Sequence, residues 1–590
     1  MLRTPLRAPL AMAETPGSSS IAASAESNAT DTDQIDSCVA LLEGGSDERR
    51  FAGLLLCAKL LPSSDAEVLH RVHDAAGTFL SRLLRSHDVN QQRLASSVSS
   101  ALCRSSSVAS SESMVRRTHL LAQCDSIDAI DAILQIAEAS DAGAEKAREC
   151  QSVEAAMKSV RSETGNNKAT ALKLLHVLLT NNHHLGDDDL NAIESGITSV
   201  ASALATRDGD SRQTQLEALG ALNASLDCCR SDRIPSSWVP NARDGLSTVL
   251  SAKIGPDVRH LALRCVQRAS DVAARANIHQ SLLASSHLLV AVATNMRVEL
   301  TVLLHEEVRL REGTHESRQS DGSSALQSDS DDTSKRTERL GICFSLFESC
   351  VQALAESEEG GSGDQSNASA TNALRAIDAT GETMIDFIED AVEDESSLAD
   401  SSFERGALLL AAIKGLGAYL AELPRAHEQR TRQLMPFMTR VLDRAGVPFM
   451  LPAMAQLAED EVWCQSIVRR GPLEAALDVS LDIVKASGRD GYEGVASVVH
   501  TLEISRLSIL QSELSDHASN DSAHLRGKLA QLLSTFPAFE RSVSEAVGGA
   551  PSSELKALLK RVREIRRPLS ELSKDENELL GALKRLLSDF

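Results

Sequence analysis

Apolar residues recur at helical spacing in one segment after another, each roughly 12 to 18 residues long and closed by a proline, glycine or polar turn. That pattern constrains the fold more than any other feature of the chain. In "DERRFAGLLLCAKLLPSSD", Phe51, Leu54, Leu55 and Ala58 fall at i, i+3, i+4 and i+7, and Pro62 ends the run. The spacing predicts a helix that buries those four residues. The next stretch carries Val68, Val72, Ala75, Ala76, Phe79, Leu83 and Leu84, with Gly77 as either a break or a close helix contact.

Similar units follow. "KATALKLLHVLL" ends near Asn181 and Asn182, and "TQLEALGALNASLDCC" carries Leu216, Leu219, Leu222 and Leu226. In "PDVRHLALRCVQRAS", Val258, Leu261, Ala262, Cys265 and Val266 form a stripe behind a Pro256–Asp257 helix start. Further on, Leu409, Ala412, Ile413, Leu416 and Leu420 share one face. Leu434, Phe437, Met438, Val441 and Leu442 share the next, with Gly446 as its stop, and Pro448 and Pro452 open another helix. Aromatics are only 3% of the chain, so the core is built from Leu, Ala and Val, which suits close helix packing rather than sheet. Short connections between amphipathic helices predict an all-α, armadillo/HEAT-like helical-repeat solenoid, although no strict period can be read from the sequence.

Two polar stretches interrupt the array. "EGTHESRQSDGSSALQSDSDDTSK" and "ESEEGGSGDQSNASATN" have little to bury and read as acidic disordered insertions. The expected organisation is a leader over 1–33, a helical array over 34–310 and a loop over 311–337. A helix over 338–354, a second loop over 355–373, an array over 374–550 and a basic amphipathic tail over 551–590 complete it. Ser328 and Ser330 stand among acids, which reads first as a solvated acidic loop and second as a site for acid-directed phosphorylation. The leader has arginines at Arg3 and Arg7 before its first acid, Glu14. It reads as a disordered leader or a transit peptide.

The formal charge is −23, from 83 Asp and Glu against 60 Lys and Arg, which repels nucleic-acid backbones. No run approaches 18 consecutive apolar residues, so no transmembrane segment is expected. The cysteines lie inside apolar helical patterns and no CxxC occurs, which predicts reduced core thiols.

Four stretches, "FAGLLLCAKLLPSSD", "RVHDAAGTFLSRLLR", "AAIKGLGAYLAELPRAHEQRTRQLMPFMTRVL" and "PFMLPAMAQLAEDE", resemble the neurochondrin family and occur in its order. The resemblance runs from about Ile35 to about Glu545 and is most specific at Ala418–Glu422 and Leu434–Phe437. It implies an armadillo-like fold and a cytoplasmic protein that binds other proteins in signalling or trafficking, with no catalytic residues and no cofactor. Some animal members are lipid-modified on cysteines near the N-terminus, whereas no cysteine precedes Cys38 here. The neuronal role of animal members is not carried over.

The sequence offers three kinds of site. Solvent-side residues of the 404–440 region, Glu404, Arg405, Lys414, Glu422 and Arg440, are the candidate partner-binding surface of a scaffold, together with Tyr492 in a glycine-rich loop. The basic C-terminal helix, with Lys560, Arg563 and Arg567, could meet anionic lipid at a membrane periphery or nucleic acid, or dock on acidic helices of the same chain. Nothing in it interleaves aromatics with charge, so base stacking is unsupported. Finally, His183, His184 and Asp187 in "NNHHLGDDD" read either as a metal-assisted hydrolase site or as a polar turn whose acids start a helix. No phosphate loop, Rossmann fingerprint, HExxH or GxSxG is present.

Overall fold

In the computed structural model the chain from 34 to 458 is described apart from 181–184, 207–210, 230–233, 277, 279–281, 318–328, 360–363, 394–402 and 442–446. Beyond 458, parts of 463–532 and Lys560 are described. Every described element is a helix. Two compact units divide at residues 241 and 242.

The first unit holds α1 (34–42), α2 (Asp47–Leu60), α3 (Ala66–Leu84), α4 (Val89–Cys103), α5 (Ser106–Ala109) and α6 (Glu112–Leu121). It continues through α7 (Ile127–Ala139), α8 (Asp141–Glu149), α9 (Ser152–Ser162), α10 (Gly165–Thr180), α11 (Asp187–Ala205) and α12 (Ser211–Cys228). Side chains start many of these helices: Ser46, Asp65, Asp88, Ser111, Ser126 and Ser140 each accept a hydrogen bond from a first-turn amide. Alternate helices stack in a row, α4 on α7, α7 on α10 and α10 on α12, while α9 packs on α11. The inner helix α12 is buried nearly all round from Ala218 to Leu226, taking in Leu219, Leu222 and Leu226.

The second unit, entered through α13 (Trp238–Ser251), contains α14 (Pro256–Arg275), α15 (Ser286–Ser317), α16 (Asp329–Glu359) and α17 (Asp364–Glu393). After these come α18 (Phe403–Glu422), α19 (Glu428–Val441), the 3-10 turn Val447–Met450, α20 (Leu451–Leu457) and α21 (Pro472–Lys485). Two rows of stacked helices run through it. One is α14, α16, α18 and α20, and the other is α15, α17, α19 and α21.

The period hidden in the sequence shows in the cross-helix hydrogen bonds. His73 meets Ser113 and Arg117 meets Gly77 at separations of 40 residues, Thr198 meets Ser237 at 39, and Arg104 meets Pro62 at 42. In the second unit Arg259 meets Glu299 at 40 and Tyr419 meets Asp378 at 41. A helix-pair repeat of about 40 residues, with each copy resting on the last, produces that spacing. The fold is an all-α, armadillo-like helical repeat.

Two expectations shift and one open alternative is resolved. In α2 the buried face is Gly53, Leu54 and Cys57, followed by Leu61, whereas Leu55 is 47% exposed. Gly53 sets this rotation, because a Cβ there would lie 3.1 Å from Leu41 and 3.2 Å from the Cys38 carbonyl oxygen of α1. Gly77 is a break: its φ of 43° and ψ of −130° kink α3. The polar stretches assigned to loops over 311–337 and 355–373 are helical at their edges, through Ser317, from Asp329 and from Asp364. Ion pairs explain the start of α16. Arg336 reaches Glu307 at 3.6 Å, Arg339 reaches Asp257 at 3.1 Å, and Glu338 meets Arg264 at 2.7 Å, anchoring charged turns that have no apolar face.

One described stretch, Ser286–Arg309 of α15, is long and apolar enough by length and hydropathy to cross a membrane. In the fold its apolar side packs against α14, α16 and α17. Glu299, buried in its middle, meets Arg259 at 3.3 Å and Arg339 at 3.7 Å from those neighbours. That side of the helix is therefore covered by protein, its charge met by neighbouring helices. None of the described cysteines is in a disulfide and all except Cys150 are buried, and burial pushes the Cys57, Cys265 and Cys350 thiols up to about 12.

Candidate partner-binding surface

α18 is amphipathic in a lopsided way. Leu409, Ala412, Ile413, Leu416 and Leu420 are all buried, as the sequence pattern predicts, and Tyr419 joins them. Its outer edge is not uniformly polar. Leu410 is 37% exposed, and one turn on, Lys414 is half-buried. Gly417 then lets the 3-10 turn Val447–Met450 press against the helix, since a Cβ there would lie 2.7 Å from the Met450 sulfur and 3.1 Å from the Phe449 carbonyl oxygen.

That close approach places Phe449 beside Lys414. The Lys414 ammonium sits 4.8 Å from the Phe449 ring centroid, and 3.4 Å from a Glu348 carboxylate oxygen on α16. Phe449 itself is 48% exposed. In a chain with few aromatics this is conspicuous: Trp238, Trp463, Tyr419, Phe347 and Phe387 are all buried. Phe449, Lys414 and Glu348 therefore form one contiguous group, an exposed aromatic ring with a cation and an anion beside it, and exposed Leu410 lies one turn before Lys414 on α18. The chemistry of this patch is that of an anchor for a partner's apolar side chain.

The α17–α19 side of the same region is a polar seam. The Tyr419 hydroxyl donates to Asp378 Oδ1 at 2.6 Å, and His427 Nε2 lies 3.3 Å from the same oxygen. Burial, reinforced by Asp378, raises the Tyr419 phenol far above its ordinary range. Gly381 makes room for that ring, a Cβ there being 3.0 Å from Tyr419 Cε1. Arg430 forks onto Glu389 with bonds of 3.0 and 2.6 Å and reaches Asp386 at 2.5 Å. These groups clamp α18 and α19 to α17.

The predicted site residues are distributed as follows. Lys414 belongs to the patch but is engaged by Glu348 and Phe449 rather than standing free in solvent. Glu422, the last residue of α18, is exposed. Glu404 and Arg405 lie in the first turn of α18 and Arg440 near the end of α19; their side chains fall outside the described residues. Lys560 is helical and exposed, while Tyr492, Arg563 and Arg567 lie outside the described residues. So do His183 and His184, whereas Asp187 is exposed in the first turn of α11. Among the described residues no group of three or more His, Cys, Asp or Glu is placed to hold a metal ion. Sequence reasoning missed Leu410, Glu348 and Phe449. The signal for Phe449 was its place in a proline-bracketed turn, where an aromatic has no helix face to enter.

A family model described as Neurochondrin matches residues 29–487, well over half of the chain. The chain belongs to the neurochondrin family. Its neurochondrin region holds every helix from α1 to α21, and with them Leu410, Lys414 and Phe449. It leaves out Tyr492 and the basic tail. A curated relative described as a neurochondrin homolog, from Drosophila melanogaster, is 22% identical over 475 residues. The alignment takes in 72% of this chain and 61% of the relative, so the chain spans about three fifths of that protein's length.

Among solved structures, one described as "A conserved phosphorylation switch controls the interaction between cadherin and beta-catenin in vitro and in vivo" is similar with a TM-score of 0.47. It is 11% identical and covers 90% of this chain and 99% of that one. A designed armadillo repeat protein is similar with a TM-score of 0.30 at 14% identity, covering 40% of this chain and 99% of that one. At these scores neither likeness adds to the fold established by the packing itself.

Proposed function

We propose that this protein is a non-enzymatic binding scaffold of the neurochondrin type, working in the cytoplasm in signalling or trafficking. Its partner-binding surface is the patch on α18 and the 3-10 turn that follows α19. The observation that carries this reading is Phe449, an aromatic held half in solvent beneath Lys414, whereas Trp238, Trp463, Tyr419, Phe347 and Phe387 are buried. Partner surfaces concentrate binding energy in such anchors, and truncating one typically costs about 2 kcal/mol or more.

The test is capture of tagged full-length protein from its own cells, beside Phe449→Ala and Leu410→Ser variants. Loss of the same near-stoichiometric partners from both variants, with unchanged melting, is the expected result. Partners retained at wild-type levels would overturn the assignment of the surface. Charge reversal at Glu422, exposed at the end of α18, tests whether charge on that helix beyond the patch steers association.

A further inference from the structure

Within the first unit a cleft of about 510 Å³ opens between two helix junctions, α6–α7 on one wall and α8–α9 on the other. The second junction turns tightly because Gln151 takes a left-handed backbone, with a φ of 59° that is rare outside glycine. That turn sets Glu149 and Cys150, from the end of α8, beside Glu154 and Lys158 of α9 along one wall. Opposite stand His119 of α6 and Asp125 of the turn, and buried Cys124 and Ile130 supply an apolar floor.

The charges in the cleft do not balance. Three carboxylates, Asp125, Glu149 and Glu154, line it against one lysine, Lys158. Lys158 is drawn to Asp125 at 3.3 Å, and Glu149 is met by Lys146 at 2.8 Å. Glu154 is exposed and carries neither a cation nor a hydrogen-bond donor among the described residues. More negative charge lies near it. The Asp189 carboxyl, buried in the first turn of α11, is raised by burial and then by Asp188 and Glu154, against the pull of a backbone bond at Gly186. His119 adds an acceptor: its Nδ1 donates to the Arg116 carbonyl at 2.6 Å, which leaves Nε2 of the neutral ring open to accept.

An unmatched carboxylate above an apolar floor suits a ligand that carries a charged fork on an apolar stem. A metal ion is the wrong shape, since no three His, Cys, Asp or Glu among the described residues are placed to hold one. Arginine has both features, a planar guanidinium rich in donors and a methylene stem.

We propose that this cleft takes an arginine side chain of a partner protein, with its guanidinium on Glu154 and its stem over Cys124 and Ile130. The cleft shares no residue with the Phe449 patch, so the two readings stand or fall separately.

Cys150 supplies the readout, because it lines the cleft and is the one described cysteine that is not buried. The native full-length chain is treated with a cationic methanethiosulfonate (trimethylammonioethyl) or an anionic one (sulfonatoethyl). Mass spectrometry of the Cys150 peptide follows the mixed disulfide, and each rate is divided by that of N-acetylcysteine amide with the same reagent. The cationic reagent is expected to be favoured about tenfold, and the preference to fall several-fold in Glu154→Gln or in half-molar salt. N-acetylarginine amide at tens of millimolar should slow the modification in wild type but not in Glu154→Gln, and N-acetylglutamine amide at matched salt should slow neither. Four results would overturn the proposal. They are a Cys150 without charge preference, no protection by the arginine amide, protection that survives Glu154→Gln, and failure of both reagents to react, because a cleft closed to them is closed to a guanidinium.

Discussion

Each unit buries an ionised side chain where helices cross, and the two solve the problem differently. In the first, Arg117 is 6% exposed and has no carboxylate among its hydrogen-bond partners. Its guanidinium donates to the Gly77 carbonyl at 2.7 Å, to Ser81 Oγ at 3.0 Å and to the Met114 sulfur at 3.0 Å. The kink in α3 frees a backbone carbonyl, and the arginine from the next repeat takes it up. Burial lowers the Arg117 pKa without displacing it from the charged form. In the second unit Glu299, only 4% exposed, is held by Arg259 and Arg339 from α14 and α16, with Asp257 also on Arg339. The first is a cation solvated by neutral dipoles and the second an anion solvated by charges. A buried charge is tolerated wherever its hydrogen-bonding capacity is filled, but the consequence of removing it depends on what is left behind.

That contrast gives its own tests. The largest effect is expected for Glu299→Ala, which takes from Arg259 the carboxylate it bonds, leaves Arg339 only the exposed Asp257, and opens a cavity. A loss of about 3–5 kcal/mol is expected, measured by denaturant unfolding of the second unit. Arg117→Met removes the cation along with its desolvation cost and strands only neutral acceptors. About 1–3 kcal/mol is expected, and a loss equal to that of Glu299→Ala would erase the distinction. Gly77→Ala forces a side chain into a left-handed φ, costing about 1–2 kcal/mol in the same assay. Asp65→Ala, which removes the cap at the start of α3, should cost about 1 kcal/mol.

The smallest effect is a pH slope. Burial first, then Arg339 and Arg264, lower His260 from its ordinary 6.5 to about 4, against the opposing pull of Glu338 and Asp257. Because the unfolded chain takes the proton first, stability falls as pH drops from about 6.5 toward 4. Melting followed across that window should show the slope reduced in His260→Gln. An unchanged slope would mean that other groups carry it.

The sequence made the helices legible because amphipathic spacing is a local property. The α18 face from Leu409 to Leu420 is buried as read, and so are Leu434, Phe437 and Met438. Where the reading slipped, another helix had intervened. Leu55 lost its place in the core because Gly53 draws α1 onto a different face of α2. Part of the Asp-rich stretch after Ser328 became helix because arginines there find acids on α14 and α15. The candidate surface was half legible: Lys414 was named, but Phe449 lies 35 positions along the chain and reaches it only through the close packing of Gly417 against Met450.

The sequence by itself determined an all-helical chain, its leucine-rich faces and its family, since each follows from residues near one another along the chain. Tertiary structure alone decided the repeat of about 40 residues, the partners of Arg117 and Glu299, and the exposure of Phe449. Those depend on which helix lies against which, and spacing within one helix does not encode its neighbour.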